Sequence, residues 1–238
     1  MSGGMLSLSQ AAALVHLGEN ELRHAAQRGE LDCQTRADDS LYFDQRSLNE
    51  WAQRELLASG AKELKERNRR IRDEERRAER NDRPLSSLFD PATIDLAVKA
   101  KAKAGMLRDM TELADRGGKV YDPEGLFKAL VEREEAASTA VGQGIALLHP
   151  RFHDPYLFEE SFVAYGRSER PIFFGANDGE ATRHFFLICS TDHSTHLHIL
   201  AKLAMLAHGS ALTEMLDVAQ TSEDVLVAIA QCEGEFDG

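Results

Sequence analysis

Apolar and polar positions follow three different patterns along the 238 residues of the chain. In residues 1–56, short amphipathic stretches are separated by glycine and acidic turns. Residues 57–83 are almost all polar or charged, and from Pro84 onward apolar density returns and persists. This pattern predicts a small first domain (1–56), a charged connector (57–83) and a larger second domain (84–238).

In the first segment Ser7 is placed to cap a helix from Leu8 to Val15, whose Ala11, Leu14 and Val15 share one face. Gly18 can cap a second helix, Glu19 to Arg28, with Leu22, Ala25 and Ala26 inward, and Gly29 stops it. Two β-prone runs, Leu31 to Arg36 and Leu41 to Phe43, flank the turn signal Ala37 to Ser40. Asp44 then caps a third helix carrying Leu48, Trp51 and Leu56. The connector has no Pro, and no Gly after Gly60, so one solvated helix is expected from Glu55 to Arg83. Its heptad series Leu57, Leu64, Ile71 and Ala78 leaves helix pairing in a homodimer as the alternative. In the second domain, helices are expected over about 102–116, from Asp122 and Pro123 to Glu134, over about 194–207 and 210–218, and after Thr221. Short β-prone runs at 145–148, 162–165 and 185–189 lie between them, which predicts an α/β domain.

Composition narrows the function classes. Forty Asp and Glu against 28 Lys and Arg give a formal charge of -12. The connector is the clearly basic stretch, with ten Lys and Arg against seven acids. An acidic balance argues against indiscriminate nucleic-acid binding, which needs clustered cations to neutralise phosphates. No apolar run approaches the ~20 residues of a membrane helix, and the start has neither a basic region nor a long apolar one, so a cytoplasmic protein without membrane insertion is expected. Cys33, Cys189 and Cys232 are far apart and match neither a disulfide framework nor a zinc knuckle. His193, His196 and His198 are not spaced as a metal set, because His196 and His198 lie on different faces of a helix. No metal and no cofactor is expected.

Candidate chemistry concentrates at 133–149, "REEAASTAVGQGIALLH". Gly142 and Gly144 permit tight backbone geometry just before an apolar strand, and His149 stands at that strand's end. Arg133, Ser138, Thr139, Gly142, Gly144-Ile145-Ala146 and His149 at these intervals, with "PIFFGANDG" at 171–179 and "HLHILAKLA" at 196–204, resemble the enzyme IIA component of the fructose–mannitol and nitrogen-regulatory type phosphotransferase system. The resemblance spans about 84–236. It implies a mixed sheet flanked by helices, transient phosphorylation of His149, and the small histidine phosphocarrier protein as donor. Arg133, Ser138 and Thr139 would then bind the phosphoryl oxygens, and His196 would orient His149 or donate to the phosphoryl group. Leu148 stands where that family usually has Pro, and Pro150 follows the histidine instead.

In the first domain, "RGEL" at 28–31 and "LYFDQRSLNEW" at 41–51, with the short loop between, resemble the winged helix-turn-helix of the excisionase and MerR-like group. That resemblance implies a second helix in the major groove of double-stranded DNA and a wing on the backbone, with Arg23, His24, Arg28 and Arg36 in contact. Residues 1–56 nevertheless hold five Lys and Arg against nine Asp and Glu. Three functions therefore stay open: a regulatory phosphocarrier relaying its state to DNA or to regulatory partners, a transcription regulator with a phosphorylation-silent sensor domain, and a transport enzyme IIA with a docking adaptor.

Overall fold

The computed structural model describes residues 4–60, 63, 64, 66, 67, 69, 83–151 and 157–237. The chain divides into two compact units, Met1–Asp82 and Arg83–Gly238.

Local capping builds the first unit. The Ser7 side chain accepts from the Gln10 N–H while Gln10 accepts from the Ser7 N–H, a reciprocal cap that starts α1 (Leu8–Val15). Gly18 precedes α2 (Glu19–Gln27), and Glu21 returns a carboxylate to its N–H at 2.7 Å. Asp44 accepts from the Ser47 N–H and starts α3 (Gln45–Ala58). Ahead of α1, β1 (Met5–Ser7) pairs antiparallel with β3 (Leu41–Asp44), which also pairs with β2 (Gln34–Thr35). The hairpin and three helices match the predicted order; β1 was too short to be predicted from periodicity.

The connector does not continue α3. The helix ends at Ala58, where Ser59 turns extended and its hydroxyl donates to the Glu55 carbonyl at 2.6 Å. Glu63 then accepts from the Gly60 N–H at 2.9 Å, the pattern of a new helix start, and residues 63, 64, 66, 67 and 69 are helical. Nor is this beginning solvated. Leu64 is fully buried, and the buried Arg67 donates to the Val15 carbonyl at the end of α1 at 2.6 Å. That is a cation on an orphan helix carbonyl, a stabilising placement. Ile71 and Ala78 of the heptad series and most of the connector's basic residues lie outside the described residues.

In the second unit a 3-10 turn (Leu85–Leu88) leads into β4 (Phe89–Val98), followed by α4 (Lys103–Asp115), α5 (Pro123–Ala136), β5 (Ala140–Gly142), β6 (Ile145–Leu148), β7 (Phe162–Ile172), β8 (Thr182–Cys189), α6 (His193–Gly209), α7 (Leu212–Val218) and α8 (Ser222–Asp237). The five strands lie in the order β4-β7-β8-β6-β5, with β4–β7 and β6–β8 parallel and the other pairs antiparallel. This is a mixed sheet flanked by helices. The sequence pattern missed β4 because Pro91 and two aspartates interrupt it. An edge strand tolerates them, and the register there is irregular.

One sheet face buries Phe162, Ala164, Phe185, Leu187 and Cys189 under Met106, Leu107, Met110 and Leu113 of α4 and Leu126 and Leu130 of α5. Burial pushes the Cys189 thiol well above its ordinary value, so it is an inert core residue. Alternate residues of the same strands, including Tyr165, His184 and Phe186, are also buried. There the Tyr165 hydroxyl lies 2.8 Å from His184 Nδ1 and Asp217 Oδ1 lies 3.4 Å from Nε2. A carboxylate can only accept, so the neutral ring carries its proton on Nε2 and Nδ1 accepts from the tyrosine. His184 thus has a packing role in a polar relay.

Burial lowers the His184 imidazole from the ordinary 6.5 to about 4, against the pull of Asp217. A histidine held neutral in the fold supports stability fully above pH 6.5. That support is lost as pH falls from 6.5 through about 4, because the unfolded chain takes up a proton that the native state refuses. The expected loss is on the order of 3 kcal/mol. It should appear as a falling melting temperature over this window, and His184→Asn, which does not titrate, should flatten that limb.

Candidate functional site

Helix α5 carries the first two groups. Asp122 accepts from the Gly125 N–H at 2.9 Å, and Pro123 occupies the first helical position. Leu126 and Leu130 then define a buried stripe that continues, at the same spacing, onto two charged residues, Arg133 and Glu134. Charges at core positions of a helix need partners, because an unpaired buried charge is costly.

Arg133 finds one partner in His149. Its Nε–H donates to His149 Nε2 at 3.0 Å, and Nη1 donates to the Ala137 carbonyl at 2.8 Å. His149 lies just past β6 and is fully buried. Its Nδ1 is 2.8 Å from the Leu147 carbonyl. A carbonyl can only accept and a guanidinium can only donate, so this pattern requires the neutral imidazole with its proton on Nδ1 and a lone pair on Nε2. His196, in the first turn of α6, is also fully buried, with its ring centroid 5.0 Å from that of His149 and the planes tilted by 55°. Helix α6 presents it because the Asp192 side chain caps the helix on the Thr195 N–H at 3.0 Å and Leu197, Leu200 and Ala204 are buried in the core.

The hydroxyls of Ser138 and Thr139 are committed elsewhere. Ser138 donates to the Phe174 carbonyl at 2.7 Å, and Thr139 donates to Glu134 Oε2 at 2.6 Å. Both therefore stitch the 137–139 segment to its surroundings in this state, and neither hydroxyl proton is directed at His149. The Gly-x-Gly turn follows. Gly142, Gln143 and Gly144 all have positive φ (91°, 54° and 71°). Glycine at 142 is favoured by its φ, and a Cβ there would meet Asp178 Oδ2 at 2.6 Å and push that side chain aside. Asp178 accepts from the Gln143 N–H at 2.9 Å, which makes the turn a structural corner with its amide occupied. The segment 171–179 thus holds the site loop at two points, Phe174 on Ser138 and Asp178 on Gln143.

Sequence reasoning overlooked Glu134 and Lys103. The signal was available for Glu134, an acid continuing the Leu126–Leu130 stripe. Lys103 begins another helix, 31 residues away, and its 2.7 Å ion pair with Glu134 comes from packing alone. Among the described residues, no group of three or more His, Cys, Asp or Glu is placed to hold a metal ion, and no single helix is long and apolar enough to cross a membrane.

Comparison with known families matches residues 87–232 to the phosphoenolpyruvate-dependent sugar phosphotransferase system, EIIA 2. The chain belongs to the EIIA 2 family. It is 28% identical over 150 residues to a nitrogen regulatory protein of Bradyrhizobium diazoefficiens, covering 62% of this chain and 95% of that one. It is also 29% identical over 147 residues to the fructose-specific EIIABC component of Bacillus subtilis, where the match covers 61% of this chain but only 22% of the relative. Among solved structures, nitrogen regulatory protein IIA-Ntr from Neisseria meningitidis superposes with a TM-score of 0.56 at 23% identity, covering 61% of this chain and 98% of that one. IIA mannitol from Escherichia coli gives 0.53 at 22%, covering 60% and 99%. These superpositions establish the EIIA fold of the second unit, and the first unit lies outside the family match.

The residues implied for DNA contact belong to that first unit. Arg23 and His24 are exposed on α2. Arg28 forms a two-point ion pair with Glu30 at 2.6 and 2.7 Å, and Arg36 stacks 3.7 Å from the Tyr42 ring centroid. The hairpin tip between β2 and β3 carries Asp38 and Asp39, with Asp39 at a φ of 61°.

Proposed function

We propose that the chain is a regulatory phosphocarrier of the phosphotransferase system, accepting a phosphoryl group on Nε2 of His149. The observation that carries this reading is the imidazole's hydrogen-bond pattern: Nδ1–H on the Leu147 carbonyl leaves Nε2 as a lone-pair nucleophile beside a buried guanidinium. The proposed donor is the phosphorylated small histidine phosphocarrier protein. The Nε2–P bond forms as the donor's N–P bond breaks, while the proton stays on Nδ1, donated to the Leu147 carbonyl.

Arg133 covers Nε2 in the resting state, so transfer requires its Nε–H to leave the nitrogen for the incoming phosphoryl oxygens, with Nη1 still anchored on Ala137. His196 packs against the His149 ring and holds its orientation. Ser138 and Thr139 contribute by fixing the loop, and turning either hydroxyl toward the phosphoryl would break a bond that the resting state makes. The chemistry is positioning and charge stabilisation.

The first unit is proposed as the module that relays phosphorylation state, with regulatory proteins as its partners. Its acidic hairpin tip and the Arg28–Glu30 pair favour a protein surface over phosphates. Double-stranded DNA is the second reading, supported by the observed order of two helices, hairpin and helix with exposed Arg23 and His24.

Incubation with phosphoenolpyruvate, enzyme I and the phosphocarrier protein should place acid-labile phosphate on the wild type and none on His149→Ala. Equal labelling of the variant would defeat the reading. The labelled and unlabelled forms, run with DNA across a salt series, separate the partners: salt-sensitive retardation supports DNA, and none at low salt supports a protein.

A further inference from the structure

We infer that Glu134 is a positioning residue of the phosphoryl-transfer site, holding in place the loop that orients both Arg133 and His149; this rests on the phosphocarrier reading above. Its carboxylate is buried and fully engaged. Oε2 accepts from the Thr139 N–H at 2.9 Å and from the Thr139 hydroxyl at 2.6 Å, and Oε1 pairs with Lys103 Nζ at 2.7 Å. Lys103 opens α4 and lies 4.8 Å from the centroid of Phe174, the residue whose carbonyl holds Ser138. One carboxylate thus ties α5, α4 and the 137–139 segment together.

Two further bonds carry that constraint to the chemistry. Within the fixed segment, the Ala137 carbonyl accepts from Arg133 Nη1, which sets the plane of the guanidinium facing His149. The Thr139 carbonyl accepts from the Leu147 N–H at 3.0 Å, and the Leu147 carbonyl in turn accepts from His149 Nδ1. The circuit runs from Glu134 through Thr139 and Leu147 to His149, and closes through Arg133, the neighbour of Glu134 in sequence. Nucleophile and cation are aligned against the same short loop, and Glu134 is its anchor. Glu134 does not touch the reacting atoms, so its effect is on geometry. Small misplacements of a nucleophile and its charge partner reduce rate steeply while leaving the docking surface intact.

The test uses the full chain and single-turnover transfer from the phosphorylated phosphocarrier protein, with donor concentration varied. Glu134→Ala is expected to lower the maximal rate on the order of 10²-fold with little change in half-saturating donor concentration. Glu134→Gln, which keeps an acceptor for Thr139, should recover part of the loss, and Thr139→Val should lose more than Thr139→Ser. Nitrogen NMR of the His149 side chain supplies a readout independent of transfer: the wild type should show the Nδ1–H tautomer, and the alanine variant a mixture of tautomers. Should Glu134→Ala not fold, Glu134→Gln and Thr139→Val carry the same comparison. Wild-type rates and unchanged His149 nitrogen shifts in the variants would overturn the inference. A wild type that takes up no phosphate would instead overturn the phosphocarrier reading, and the NMR comparison would still decide whether Glu134 orders the site.

Discussion

Replacing Arg133 by alanine is expected to slow phosphoryl transfer to His149 by roughly 10²–10³-fold, the cost of removing one preorganised donor to developing charge. The guanidinium is buried, anchored through Nη1 on Ala137, and its Nε is 3.0 Å from the nitrogen proposed to accept the phosphoryl group. In the proposed reaction its charge would meet the phosphoryl oxygens at a buried position, where the interaction is stronger than at a surface. Arg133→Lys should recover little. An ammonium carries its three donors on one nitrogen, without the planar fork that lets a guanidinium keep the Ala137 anchor while serving the phosphoryl group from a second, fixed direction. Single-turnover transfer measured on alanine, lysine and wild-type forms checks this ordering. A lysine variant as fast as wild type would show that charge without fork geometry is enough.

The second large effect concerns stability. Lys202 of α6 and Glu233 of α8 form a buried ion pair at 2.9 Å, with side chains 4% and 7% exposed. Both Glu233 oxygens also accept from the Leu85 N–H, at 3.0 and 2.8 Å. Lys202→Met should destabilise the second unit by about 3–5 kcal/mol, because the carboxylate stays buried with its cation gone. For a unit of this size that is a fall of roughly 6–20 °C in its melting temperature. Lys202→Met combined with Glu233→Met should be less damaging than the single change. The double variant removes both charges and leaves chiefly the Leu85 amide without an acceptor, a cost of about 1–3 kcal/mol. Thermal unfolding of the two variants and the wild type decides the order, and a single variant more stable than the double one would contradict it. Helix α6 also carries His196, so the pair anchors the helix that backs the proposed acceptor.

Much of the local architecture could be read from residue order. Ser7, Asp44, Asp122 and Thr221 all act as the caps their positions predict, with Thr221 accepting from the Asp224 N–H at 3.1 Å. The Gly142–Gly144 turn takes the strained φ values its glycines permit. These features depend on contacts within about four residues, which a sequence displays directly. The mixed sheet followed from the family resemblance rather than from periodicity. The continuous connector helix failed for a local reason, because a serine able to bond back to Glu55 and a glycine capped by Glu63 stop α3 and start another helix.

What the sequence determined by itself was the inventory: the helix starts, the tight turn, and an arginine and a histidine in the order of a known phosphocarrier motif. Only the tertiary structure decided which groups meet. Arg133 reaches His149 across 16 residues, Lys103 reaches Glu134 across 31, and Glu233 reaches Leu85 across 148. It also turned the Ser138 and Thr139 hydroxyls into loop anchors in the resting state. Such pairings are set by the crossing of strands and helices, and a buried charge or hydroxyl takes whichever complementary partner that crossing brings within hydrogen-bond reach, because leaving it unpaired costs more than any local preference supplies.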